Sequence, residues 1–218
     1  MFAVNTYEEI ENNERLLNDR HIIVLLFVRP SLRGAREIIN EFDYLRYNAG
    51  RYCSVYAVGY TNDPIFAVKN EFHAIGEDLA GDWFFSEKVF SEFKNALETR
   101  LGWKYSGDVE LLILQSNPDG TKILNFQNYV ALDINYGIQK GYIASFSRLM
   151  EVLLRSARTE VTAAEAVTSA SLARLSIRNL LRSAIESCKS IPAPVKAILG
   201  DRLFYLPACY QPADSSLE

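Results

Sequence analysis

The chain has 218 residues, 49% hydrophobic, 23% charged and 12% aromatic, with 11 Gly and 7 Pro, which excludes a disordered, collagen-like or coiled-coil protein. At about 100 to 200 residues per domain, the length suits one large domain or a domain with an appendage. The net charge of −4 is uneven: residues 1–147 hold 14 Lys and Arg against 20 Asp and Glu, whereas residues 148–202 hold 9 against 5. An acidic body with a basic arm argues against a dedicated nucleic-acid binder, whose footprint is a basic domain.

In chain order, Thr6-Tyr-Glu-Glu9 has capping-box spacing and opens a helix ending near Asn18. His21 to Val28 is a β-branched and apolar run without alternation, the pattern of a central strand buried on both faces. Ala35, Ile38, Ile39, Phe42 and Leu45 then predict a helix closed by Gly50, and Tyr52 to Tyr60 a second strand, which together make a right-handed βαβ unit. Residues 61–85 lack periodicity but carry Phe66, Phe72, Trp83, Phe84 and Phe85, too many aromatics for a solvated loop. A helix is predicted over 86–101. Val109 to Leu114 and Lys122 to Phe126 predict a hairpin around Asn117-Pro-Asp-Gly120, with Tyr129 to Ile134 extending it past a bulge. Another helix is expected over 145–157. A second capping box, Thr162-Ala-Ala-Glu165, opens a long helix to about Lys189, which Pro192 and Pro194 end.

This order predicts an α/β fold, a mixed sheet with helices on both faces, spanning residues 1–158, followed by a helical arm and irregular tail at 159–218. In topology it resembles the thioredoxin-like arrangement over about residues 5–157. No motif of that family accompanies it: Arg29-Pro-Ser-Leu-Arg-Gly-Ala-Arg36 stands where a Cys-x-x-Cys belongs, and Tyr105-Ser-Gly-Asp108 lacks the expected proline. Without a thiolate there, disulfide exchange is not expected. A doubly wound, flavodoxin-like sheet is the alternative.

The loop Arg29 to Arg36 joins the carboxyl end of the expected central strand to a helix start, where open α/β sheets bind ligands. Free backbone N–H groups, the Ser31 hydroxyl and the guanidinium groups of Arg29, Arg33 and Arg36 suit a small anion such as a phosphate ester or nucleotide. Asp63, after the second strand, is expected on the same rim, orienting the ligand or pairing with Arg33; the competing reading makes Asn62-Asp63-Pro64 an ordinary turn. There is no Walker or dinucleotide glycine pattern and no nucleophile elbow. His21 and His73 are the only histidines, and His73 is the one candidate base. Cys53, Cys188 and Cys209 are far apart, so no metal or cofactor is expected. Asp108, Glu110 and Asp133 are the Mg2+ alternative.

The longest apolar run, Ile22 to Val28, is far short of the about 20 residues a membrane helix needs. Glu8, Glu9 and Glu11 occupy the place of a signal peptide's basic and apolar regions, so a cytoplasmic location with reduced thiols is expected. Arg174, Arg178 and Arg182 recur every four residues on the arm, and like charges on one helix face call for an acidic partner. The expected function is a non-catalytic binding or adaptor module that self-associates or docks on a protein through this arm. The alternative is an enzyme or sensor for a small anionic ligand at the Arg29 to Arg36 loop.

Overall fold

A computed structural model describes residues 2–17, 22–49, 53–75, 83–101, 103–116, 123–164 and 204–205. The run at 22–28 forms β2 (Ile22–Phe27), buried throughout and lying in the middle of a sheet. Because side chains alternate across a strand, Ile22, Val24, Leu26 and Val28 enter one core and Ile23, Leu25 and Phe27 the other. Each such side chain contributes about 1.5–3 kcal/mol on burial. Two complete cores explain why the run shows no polar alternation.

β2 is flanked by β3 (Cys53–Val58), parallel to it, and by β7 (Glu110–Ser116), antiparallel. The mixed sheet has the order β1-β3-β2-β7-β8-β9, with β1 (Phe2–Val4) parallel to β3 and with β8 (Leu124–Asp133) and β9 (Phe204–Tyr205) continuing antiparallel. The α/β class with helices on both faces holds, and the antiparallel half rules out the doubly wound alternative. On one face lie α1 (Tyr7–Leu17) and α5 (Glu87–Leu101), through Ile10 and through Phe90, Phe93 and Leu97. On the other lie α2 (Ala35–Asn40), α3 (Phe42–Asn48) and α7 (Phe146–Ala164).

The local signals act as their chemistry dictates at several ends. Thr6 Oγ1 accepts from the Glu9 N–H while Glu9 Oε2 accepts from the Asn5 and Thr6 N–H groups, the reciprocal capping box. Ser145 Oγ accepts from the Arg148 N–H at the start of α7.

Elsewhere the structure corrects the expectations. The helix expected over 35–50 breaks at Glu41, whose N–H closes a tight turn on Ile38 O and whose carboxylate accepts from Ser147 Oγ on α7. The strand expected over 52–60 divides at Gly59 (φ 77°), which sends β4 (Tyr60–Thr61) into a second sheet of order β4-β6-β5, with β5 (His73–Ala74) and β6 (Phe84–Phe85). That sheet and α4 (Pro64–Lys69) organise the aromatic segment. Trp83, Tyr60 and Ile75 join the core, and Phe42 meets Tyr60 and Trp83 edge-on. The expected bulge lies within β8, which advances five residues against two on β7 between Leu114↔Tyr129 and Ser116↔Leu124. Ile134 opens α6 (Ile134–Gln139) instead of ending a strand, because Asp133 caps it. Thr162 lies inside α7 and starts no new helix, since residues 158–161 contain neither Gly nor Pro to stop one. Residue 158 lies within α7, and β9 lies within residues 159–218.

Candidate functional site

The loop after β2 was expected to offer free backbone N–H groups to an anion. Instead it makes two successive tight turns, with the Leu32 N–H donating to Arg29 O at 3.0 Å and the Ala35 N–H to Leu32 O at 3.1 Å. Gly34, at φ 81°, supplies the left-handed residue that starts α2, and no side chain caps that helix. Ser31 is therefore exposed and lies outside the helix, and two of the N–H groups expected to face an anion are already bonded to the loop's own carbonyls.

The guanidinium of Arg29 turns toward α5. Its Nε lies 2.9 Å from Glu87 Oε1, and its Cζ lies 4.8 Å from the centroid of the Phe90 ring and 5.6 Å from that of Tyr105. Arg33 and Arg36 are exposed, and Arg36 sits on α2, which packs on the opposite face of the sheet from Phe90. Asp63 caps α4, its Oδ1 accepting from the Ile65 and Phe66 N–H groups at 2.9 and 3.1 Å. Of the five expected residues, Arg29 and Asp63 are thus engaged by other parts of the chain, and Ser31, Arg33 and Arg36 are exposed.

A different set of side chains does meet on this rim. Glu110, 4% exposed at the start of β7, accepts from Trp103 Nε1 at 2.9 Å through one carboxylate oxygen and from the Ser106 N–H at 2.7 Å through the other. Burial pushes its carboxyl above the ordinary range, against those two donors, and Asp133 adds to the rise. Asp133 stands opposite in the β7–β8 register, and its Oδ1 accepts from the Tyr136 N–H at 2.8 Å. Burial raises that carboxyl too, with Asp108 adding to it. Asp108 Oδ1 accepts from Asn135 Nδ2, which also donates to Arg33 O, so Asn135 ties the loop after β2 to the start of β7. Tyr105, whose hydroxyl burial pushes well up, packs against Phe27, Phe90 and Trp103.

Trp103, Tyr105 and Asn135 were not singled out in the sequence. The available signal was a Trp and a Tyr in a short link between a helix and a strand, where exposed aromatics are unusual. Among the described residues no group of three His, Cys, Asp or Glu is placed to hold a metal ion, Asp108, Glu110 and Asp133 included. His73 is exposed on β5. The Cys53 thiol is buried and pushed up to about 12, mainly by desolvation, which keeps it inert. His21, Cys188, Cys209 and the Arg174, Arg178, Arg182 stripe lie outside the described residues, as does most of the helix expected over 162–189.

One further surface stands out. On α4, Ile65 and Val68 are 68% and 83% exposed at adjacent positions of one helix face. Among the described residues no helix is long and apolar enough to cross a membrane. Comparison of the chain with protein-family models, curated proteins and solved structures finds no match.

Proposed function

We propose that this protein is a cytoplasmic, non-catalytic binding or adaptor module on a thioredoxin-like scaffold, working through its C-terminal arm by self-association or docking on an acidic protein surface. One observation carries the reading: four charged groups at the carboxyl rim of β2 and at the neighbouring strand ends are engaged within the chain itself, while Arg33 and Arg36 are exposed. Arg29 is matched by Glu87, Asp63 by α4, Glu110 by Trp103 and Ser106, and Asp133 by α6. A site for chemistry or anion capture needs such groups turned toward a ligand. The scaffold reading is supported by a βαβ half (β1, α1, β2, α2, α3, β3) and a ββα half (β7, β8, α7) sharing one sheet. The Arg174, Arg178 and Arg182 repeat, within residues 148–202 that hold 9 Lys and Arg against 5 Asp and Glu, supports the partner's charge.

The test pairs two measurements on the full chain. Sedimentation velocity should show self-association, or a complex with an acidic partner, that Arg174→Glu, Arg178→Glu and Arg182→Glu together abolish. A thermal-shift screen against phosphates, nucleotides and small carboxylates should be flat. An anion that raises the melting temperature in the native chain but not in Arg33→Ala would overturn the reading in favour of ligand binding.

A further inference from the structure

The larger sheet ends on one side at β1, whose outer edge no described strand covers. Backbone groups along β1 turn alternately toward β3 and away from it. Val4 O accepts the Gly59 N–H at 3.1 Å, so Val4 faces β3, and Phe2 with it. The N–H and C=O of Ala3 therefore point to the open side. At Asn5, the next outward position, the N–H is already given to Glu9 Oε2 at 2.8 Å. Phe2-Ala-Val4 contains neither the charge nor the proline that usually closes an edge to pairing. We propose that β1 is a self-pairing edge: two copies of this chain join antiparallel about a two-fold axis at Ala3, each Ala3 N–H donating to the Ala3 O of the other.

The occupant is a second copy because the edge is complementary to itself. Ala3 offers one donor and one acceptor, and a hydrogen-bonded pair in an antiparallel ladder exchanges both bonds between the same two residues. The axis that pairs Ala3 with its copy also sets Phe2 of one chain beside Val4 of the other. Both lie on the face where the Phe2 ring packs on Tyr56 and remains 42% exposed. α1 crosses that face, with Ile10 and Glu14 toward the sheet and Tyr7 under Arg100 of α5. The opposite flank, carrying Leu16 at 85% exposure, overhangs the open edge. Because α1 joins β1 to β2, both parallel to β3, it runs back against them. The two-fold axis thus lays the two α1 helices side by side and antiparallel. Exposed Glu8, near the start of one, then faces exposed Arg15, near the end of the other, on both sides of the axis. A strand from a partner bearing one sign of charge would match only one of these two.

A contact of one residue pair and one helix flank belongs with weak interfaces, so it is read at about 0.1–1 mM, above the micromolar range. Sedimentation equilibrium is run on the full chain carrying Arg174→Glu, Arg178→Glu and Arg182→Glu, which removes the arm's contribution and keeps the two proposals separable. The average mass should rise toward the dimer and stop there, and the Ala3 amide should gain hydrogen-exchange protection with concentration. Ala3→Pro removes the outward N–H without touching a bond to β3 and should keep the chain monomeric. Glu8→Lys or Arg15→Glu alone should weaken the dimer by about tenfold, and the two together should restore it. A monomer throughout the range, a dimer indifferent to Ala3→Pro, or assembly that continues past the dimer overturns the proposal. If Ala3→Pro does not fold, a double charge exchange that fails to restore the dimer does so.

Discussion

At Gly59 a backbone angle and a packing contact make the same demand. The residue sits at φ 77°, its carbonyl accepts the Ser86 N–H that precedes α5, and an added Cβ would lie 2.8 Å from the Phe90 Cβ. Gly59→Ala is expected to cost about 2–4 kcal/mol, combining left-handed strain with overpacking, and urea denaturation measures it. Glu71 is the converse case: a non-glycine residue at φ 59° after α4. Replacing it by Gly should stabilise the fold by about 0.5–1 kcal/mol in the same assay. Glu98→Gln should lose about 1 kcal/mol at pH 7, with the difference shrinking in acid as native Glu98 becomes protonated. None of these roles is legible in the sequence. A glycine between two apolar residues and a glutamate in an amphipathic helix look ordinary until another element is placed against them.

Elements whose reason is local were legible. The Thr6 to Glu9 box and the apolar face of α5 depend on residues within one or two turns, and both appear where expected. The Asn-Asp-Pro signal also acted locally, as a helix cap, and Asp63→Ala should cost about 1 kcal/mol while Asp63→Asn costs little. Comparing the thermal stabilities of the two variants checks the cap directly. The short elements escaped. α4 and α6, with six residues each, are too brief to show a period, and β5 and β6 pair through two residues each. The exposed face of α4 gives an element-scale test: Ile65→Ser and Val68→Ser should each change stability by less than about 0.5 kcal/mol if that face is open to solvent. A loss well above 1 kcal/mol in either variant would mean that something covers it.

For the molecule as a whole, the sequence by itself determined the class: a central strand buried on both faces, helices of matching amphipathicity, a βαβ start and a hairpin. Each follows from the spacing of apolar residues, because burial of those residues selects the period that places them on one side. It also located the carboxyl rim of β2 as the place to look. Only the tertiary structure decided what stands there. The direction of the Arg29 side chain depends on Glu87, Phe90 and Tyr105, which are 58 to 76 residues away along the chain. Glu110 becomes a carboxyl raised above its ordinary range because the fold desolvates it and sets Asp133 opposite. Charge pairing and desolvation are properties of neighbours in space, and a one-dimensional pattern carries neighbours only within a few residues. Backbone periodicity was therefore written in the sequence, whereas the electrostatics of the rim arose when β2, β7, β8 and α5 came together.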